Sequence, residues 1–255
     1  MSNIKVIVPV YNSEKWISKT IESIKSQTYK NFECLIADDM STDNTVNVIM
    51  ENIKDDKRFS AVINMERKCP LKNVYDGFKE LGTHEEDILV TVDGDDWLYD
   101  EFVFEKVVAT YMEKGCLLTY GSFIEYPSGV THPYYMTPYS DDVIDNSSFR
   151  EVPWKASHLR TFKKKLFDKL KKEDLIDDST GKFYDAAGDL AQMYPLIEMA
   201  GDRSAHIGDI LYVYNKQNPL SEMYCKLQHH LAVGDTIKKL PKYTKIDIGD
   251  DGEQT

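Results

Sequence analysis

The stretch Ile88-Leu89-Val90-Thr91-Val92-Asp93-Gly94-Asp95-Asp96-Trp97 constrains this chain more than any other. Aliphatic and β-branched residues lead straight into three carboxylates gathered around one glycine. An apolar run of this kind reads as a buried central strand. Open α/β sheets bind ligands in the crevice beyond the C-terminal ends of their strands, so the acids project into such a crevice. Like charges this close repel, and they stay ionised together only with a cation among them. Ligation by oxygen alone favours a hard ion, Mg2+ or Mn2+, which can bridge carboxylates to phosphate oxygens. An acidic surface turn is the plain alternative, and the strand in front of the cluster argues against it. A calcium loop of the EF-hand type fits poorly, because Trp97 stands where the third ligand belongs and Gly94 is misplaced.

The remainder of the chain supplies the strands and helices such a site needs. Lys5 to Val10 is a short apolar strand, broken by Tyr11-Asn12-Ser13. Ser13 is a candidate N-cap for a helix to about Gln27, with Trp16, Ile17, Ile21 and Ile24 at helical spacing. Phe32 to Ala37 is a second strand ending at Asp38-Asp39, followed by a helix carrying Val46, Ile49, Met50 and Ile53. Phe59 to Ile63 is a third strand, Leu71 to Leu81 a helix ended by Gly82, and Glu101 to Lys114 a helix after the acidic cluster. Alternation of this kind predicts a mostly parallel, doubly wound sheet in one α/β domain.

Beyond Gly115 the pattern loosens. Cys116 to Ile124 is a strand, and 126–139 reads as a Pro- and Tyr-rich loop. Trp154 to Thr161 adds a short strand, and Phe162 to Leu170 a basic helix with Lys163-Lys164-Lys165 on a solvated face. Leu190 to Met199 is helical around Tyr194-Pro195, and Ile207 to Tyr214 is a last strand. The expected organisation is one domain over 1–240, made of halves 1–115 and 116–240, with a polar tail at 241–255.

A net charge of −12 argues against nucleic acid or an anionic membrane surface as the main partner. The four cysteines, Cys34, Cys69, Cys116 and Cys225, lack zinc spacing and read as free thiols in a reducing compartment. No run is apolar enough to span a membrane, and no leader pattern opens the sequence, so a cytoplasmic location is expected. Peripheral attachment to the inner face of a membrane and the oligomeric state stay open.

In a parallel sheet the ends at Asp38-Asp39 and Asp95-Asp96 share one edge. A dinucleotide site would need G-x-G-x-x-G after the first strand, and Val10-Tyr11-Asn12-Ser13-Glu14 has no glycine; a P-loop is missing too. The successive motifs Val8-Pro9-Val10-Tyr11-Asn12, Ser26-Gln27-Thr28-Tyr29, Asp38 to Thr45 and Val92-Asp93-Gly94-Asp95-Asp96 resemble those of family 2 glycosyltransferases with the GT-A fold. Order and spacing agree over roughly 4–125.

The resemblance implies an inverting transferase using a UDP- or dTDP-sugar and Mn2+ or Mg2+, with a glycan, glycolipid or polysaccharide precursor as acceptor. Carried onto this chain, Pro9 and Tyr11 line the base pocket, and Asp39 accepts the imide N–H of uracil or thymine. Asp93 and Asp95 serve the nucleotide, and Asp95 and Asp96 the metal, with the direct ligand left open. Lys72 is the candidate cation where many members carry an Arg-rich stretch. Met40 replaces a glycine common after the acidic pair.

In the second half, Asp189 of Ala187-Gly188-Asp189-Leu190 coincides with the family's catalytic carboxylate; the competing readings are a helix N-cap at Asp189 or a base at Asp185. Tyr212 to Ser221 resembles a late strand and loop that reach the diphosphate or acceptor. His158, His206, His229 and His230 read as ordinary polar residues, with His229 or His230 as alternatives completing a metal shell. Trp97 and Trp154 read as core, with stacking on a sugar as the alternative. Two rival functions stand beside the transferase. A sugar-1-phosphate nucleotidyltransferase would want a Gly-rich basic N-terminal loop, absent here; a sugar-nucleotide-binding protein without transferase activity would not need its carboxylates intact.

Overall fold

The computed structural model describes residues 3–221 and 225–247. In chain order they form β1 (Ile4–Val10), α1 (Ile17–Lys25), β2 (Phe32–Asp38), α2 (Thr45–Ile53), β3 (Phe59–Ile63), α3 (Pro70–Leu81), β4 (Ile88–Thr91), β5 (Trp97–Leu98) and α4 (Val103–Lys114). The second half continues with β6 (Leu118–Tyr126), α5 (Asp141–Asp145), β7 (Thr161–Lys163), α6 (Lys164–Phe167), β8 (Ile176–Asp177), β9 (Lys182–Phe183), α7 (Gly188–Ala200), β10 (Ser204–Asn215) and α8 (Leu227–Lys238).

One eight-stranded sheet, ordered β3-β2-β1-β4-β7-β6-β10-β5, organises the molecule, and β8 and β9 form a small separate hairpin. Strands β3, β2, β1 and β4 run parallel, as the alternation predicts. β7 enters antiparallel between β4 and β6, and β5 pairs antiparallel with β10. The fold is thus a single α/β domain on a mostly parallel sheet. β1 is buried along its whole length because helices cover both faces. Val6 and Val8 pack with Ile17, Ile21 and Phe104 on one side, while Ile7 packs with Phe78, Leu89 and Leu35 on the other. Gly77 of α3 allows the close approach there, since a Cβ on it would lie 2.6 Å from Ile7 Cδ1.

Several local expectations change. Ser13 does not cap α1 with its side chain: its hydroxyl donates to the Tyr11 carbonyl at 3.2 Å, while its own carbonyl accepts the amides of Trp16 and Ile17. The helix therefore begins at Ile17, one turn late. The strand expected over Trp154 to Thr161 lies instead at Thr161–Lys163, in the middle of the sheet. Lys163 and Lys164 are accordingly buried, not solvated. Their stems cover apolar surface while the ammonium groups reach out, Lys163 to the Glu86 carbonyl at 2.9 Å and Lys164 to Asp168 at 2.5 Å. Helix α8 was not anticipated. Of the segment expected as a polar tail, 241–247 lies against α7, with Tyr243 N–H on Glu198 and Ile246 N–H on the Met199 carbonyl; 248–255 lies outside the described residues.

Candidate active site

The acidic loop leaves β4 beside the end of β1. Val92 N–H donates to the Ile7 carbonyl and Gly94 N–H to the Pro9 carbonyl, both at 3.0 Å. A Cβ on Gly94 would sit 2.6 Å from Val10 Cβ, so only glycine permits this approach. From α1, Thr20 donates to the carbonyl of Asp96 at 2.6 Å. The end of β10 closes the other side: the Asn215 amide N–H donates to Asp96 Oδ1 at 2.7 Å, and the Asn215 side chain to the Asp95 carbonyl at 2.9 Å. Asn218 donates to Asp95 Oδ2 at 2.7 Å, and Asp93 N–H to the Tyr212 phenol oxygen at 3.0 Å.

These bonds separate the three acids into different roles. Asp96 is 1 % exposed. Burial, then the charges of Asp95 and Asp93, push its carboxyl well above the usual range. With an oxygen committed to the Asn215 amide, Asp96 faces the protein, so its expected part as a metal ligand does not fit this geometry. Asp95 is half-buried, and burial raises it as well. Asp93 is the more open of the pair and lies 3.7 Å from the Arg160 guanidinium.

Arg160 joins the two halves of the site. Its side chain is 11 % exposed, and Nη1 stands 3.1 Å from Asp189 Oδ2. Asp189 is not the N-cap of α7: that position is Ala187, at φ 50°, and Asp189 lies within the first turn. The structure therefore brings Asp93 from the loop after β4 and Asp189 from α7 onto one cation. Asp185, the competing base, is exposed and hydrogen-bonded to His229 at 2.7 Å, which lowers its pKa. His229 is thereby committed outside the acidic loop.

The pocket at Pro9, Tyr11 and Asp39 is assembled differently from expectation. Asp39 is buried, and its carboxylate already holds the 67–73 turn. Oδ1 accepts Lys68 N–H at 2.7 Å and the Asn73 amide at 3.0 Å; Oδ2 accepts Arg67 Nε at 2.9 Å and Cys69 N–H at 3.3 Å. The Arg67 guanidinium also lies 3.5 Å over the Tyr11 ring. Lys72, the expected cation, instead pairs with Asp76 one helical turn away at 2.7 Å. A lysine on the first turn of α3 meets its own i+4 acid more readily than a groove. Arg67, Arg160, Asn215 and Asn218 are the site residues that local pattern did not single out. Arg67 lies where the resemblance places an Arg-rich stretch, and Asn215 and Asn218 lie in the late strand and loop that it marks, but nothing in the residues around Arg160 signals its role.

Among the described residues, no group of three or more His, Cys, Asp or Glu side chains could hold a metal ion. Mg2+-type ions, however, commonly take one or two carboxylates and complete their shell with water and substrate phosphates. Asp95, with Asp93 beside it, fits that reduced donor set. All four cysteines are free, and burial pushes the Cys116 thiol up to about 11. Trp97 is core, with Lys19 Nζ 3.5 Å over its ring, and Trp154 packs edge-on against Tyr194 at 4.8 Å. Among the described residues, no helix is long and apolar enough to cross a membrane.

Fold and site together define an α/β enzyme of the glycosyltransferase class with the GT-A fold. The chain belongs to glycosyl transferase family 2, whose sequence model matches residues 5–171. It is 26 % identical over 231 residues to glycosyltransferase GlyG of Streptococcus pneumoniae serotype 4, covering 84 % of this chain and 71 % of GlyG. With GlyA of the same organism it shares 26 % identity over 250 residues, which is 90 % of this chain but 33 % of GlyA. The solved structure of Staphylococcus aureus TarS superposes with a TM-score of 0.65 at 19 % identity, covering 94 % of this chain and 40 % of that chain. A mannosyltransferase from Pyrobaculum calidifontis, solved with GDP-Man and Mn2+, gives 0.64 at 18 % identity, covering 94 % of this chain and 66 % of that chain. This chain thus spans about a third of GlyA and less than half of TarS.

Proposed function

We propose that this protein moves a sugar from a UDP- or dTDP-sugar, with inversion and with a divalent metal, onto a hydroxyl of a glycan, glycolipid or polysaccharide precursor. The observation that carries the reading is the meeting of Asp93 and Asp189 at Arg160, because inverting transfer needs a donor site and a proton acceptor side by side. The base of the donor lies against Tyr11. Its imide N–H displaces the half-exposed Arg67 from Asp39 Oδ2, leaving Lys68 and Asn73 on Oδ1. Asp95, with Asp93, would hold the metal. When bound, Mn2+ or Mg2+ supplies positive charge to the diphosphate. Arg160 adds a second, permanent positive charge for the departing diphosphate. Asp189 takes the proton from the acceptor hydroxyl as that oxygen attacks the anomeric carbon in line, opposite the leaving group. That another GT-A structure was solved with UDP-GlcNAc, and a further one with GDP-Man and Mn2+, supports a nucleotide sugar in this crevice.

Asp189→Asn tests the reading. It keeps the shape of the first turn of α7 but cannot accept a proton. Loss of the ion pair with Arg160 should lower the melting temperature by a few degrees at most, since Asp93 still faces the guanidinium; UDP affinity should hold, while turnover falls by roughly 10²–10⁴-fold, and unchanged turnover would return the search to Asp185. A sugar-nucleotide-binding protein without transferase activity is the second reading, and hydrolysis of UDP-sugars by the wild type would exclude it.

A further inference from the structure

Outside the nucleotide crevice, a pocket of about 450 Å3 opens between the 133–140 turn, α5 and the 152–155 loop. Its lining includes Tyr134, Thr137, Ser140, Val143 and Lys155. That volume lies in the range of small-molecule sites. Lys155 Nζ donates to the Thr137 hydroxyl at 2.7 Å and to the Pro138 carbonyl at 3.0 Å, both neutral acceptors. Among the described residues no carboxylate pairs with it, in a chain of net charge −12. The ammonium stands 4.7 Å over the Tyr134 ring, which is 39 % exposed and anchored through its hydroxyl to the Pro153 carbonyl. An aromatic face beside an unneutralised cation and the Thr137 and Ser140 hydroxyls is suited to a sugar ring carrying a negative group. Tyr134 touches Tyr135, and Trp154 touches Tyr194. Tyr194 lies on α7, the helix whose first turn carries Asp189, so the 152–155 loop that lines the pocket packs on the element of the proposed base.

We infer that this pocket is an acceptor subsite for a sugar bearing a carboxylate or phosphate. The inference rests on the transferase reading of Asp189, and it makes Lys155 and Tyr134 the residues that select an anionic acceptor.

Binding can be measured without a transfer assay, by NMR titration with methyl β-glucuronide, glucose 6-phosphate and methyl β-glucoside. At least one of the charged sugars should bind at least tenfold tighter than the neutral one, and the better of the two identifies the anion. Lys155→Gln should erase that difference, Lys155→Arg should keep it, and Tyr134→Ala should weaken all three. UDP affinity and UDP-sugar hydrolysis should stay within twofold in each variant, because water needs no acceptor pocket. Equal binding of charged and neutral sugars, or a difference that survives Lys155→Gln, would overturn the subsite. Failure of the transferase reading would appear elsewhere, as no hydrolysis of UDP-sugars by the wild type, with the sugar titrations unaffected.

Discussion

Met40 follows the Asp38-Asp39 pair at φ 64°, in the left-handed region where a side chain carries a steric cost of about 1–2 kcal/mol. Only part of that cost is recovered on substitution, because glycine loses more chain entropy on folding. Met40→Gly should therefore raise stability by about 0.5–1 kcal/mol in urea denaturation; a loss would mean that the half-exposed Met40 side chain packs more than its surroundings suggest. His158 makes a second, pH-dependent case. Its ring stacks on Tyr212 at 4.5 Å, Nδ1 is buried without a hydrogen bond, and burial with nearby Arg160 holds its pKa well below the usual value. A folded pKa below the unfolded one means that the unfolded chain gains a proton first as pH falls through about 6.5. Stability from His158 is thus full above that pH and declines below it, with a slope approaching about 1.4 kcal/mol per pH unit. His158→Phe keeps a ring in the stack and should flatten this part of the acid limb between pH 6.5 and 5. An unchanged slope would place the proton uptake on another group.

At the scale of elements, α8 is held by one buried ion pair. Arg150 makes a two-pronged contact with Glu198 of α7, at 2.5 and 2.8 Å, with both side chains nearly inaccessible. Its remaining nitrogen donates to the carbonyls of Ile237 and Leu240, at the C-terminal end of α8, where a helix leaves carbonyls without partners. Removing one member strands the other charge in the interior, which costs about 3–5 kcal/mol. Arg150→Met should lose that much in urea denaturation. Arg150→Met combined with Glu198→Leu should recover a good part of it, since the stranded charge is then gone. Full additivity of the two substitutions would show that the pair is not coupled. The same pair explains why α8 escaped the sequence reading. Of its residues only Gly234 and Ile237 are buried, so it presents no apolar stripe and is held by hydrogen bonds from distant sequence.

For the whole molecule, the site lies where separate segments must stay in register, so ligand and fold stabilise each other. A ligand that binds only the native state adds about 2.7 kcal/mol at one hundred times its Kd. For a chain of this size that is a rise in Tm of roughly 5–10 °C. UDP with Mn2+ should produce such a rise, UDP with chelator much less, and Asp95→Ala should remove the difference while melting as a folded protein. Equal shifts with metal and with chelator would remove Asp95 from the metal.

The alternation of apolar strands and amphipathic helices over the first half is a local property, and it was legible apart from the two-residue β5: β1 to β4 and α1 to α4 stand where the residues put them to within about a turn. So was the placing of Asp39 and the acidic cluster at one sheet edge, because parallel strands with helical crossovers leave no other arrangement. Tertiary structure alone decided what each acid does. Asp96 turns inward because β10, from more than a hundred residues away, delivers an amide to it. Arg160 joins Asp93 to Asp189 because β7 slots antiparallel between β4 and β6. The Lys163-Lys164-Lys165 run misled for the same reason: charge predicts a solvated face only until a strand pairing buries the stems and leaves the ammonium groups to find partners. Periodicity records which face of an element is apolar; it carries no record of which distant hydrogen-bond donor will meet a given carboxylate.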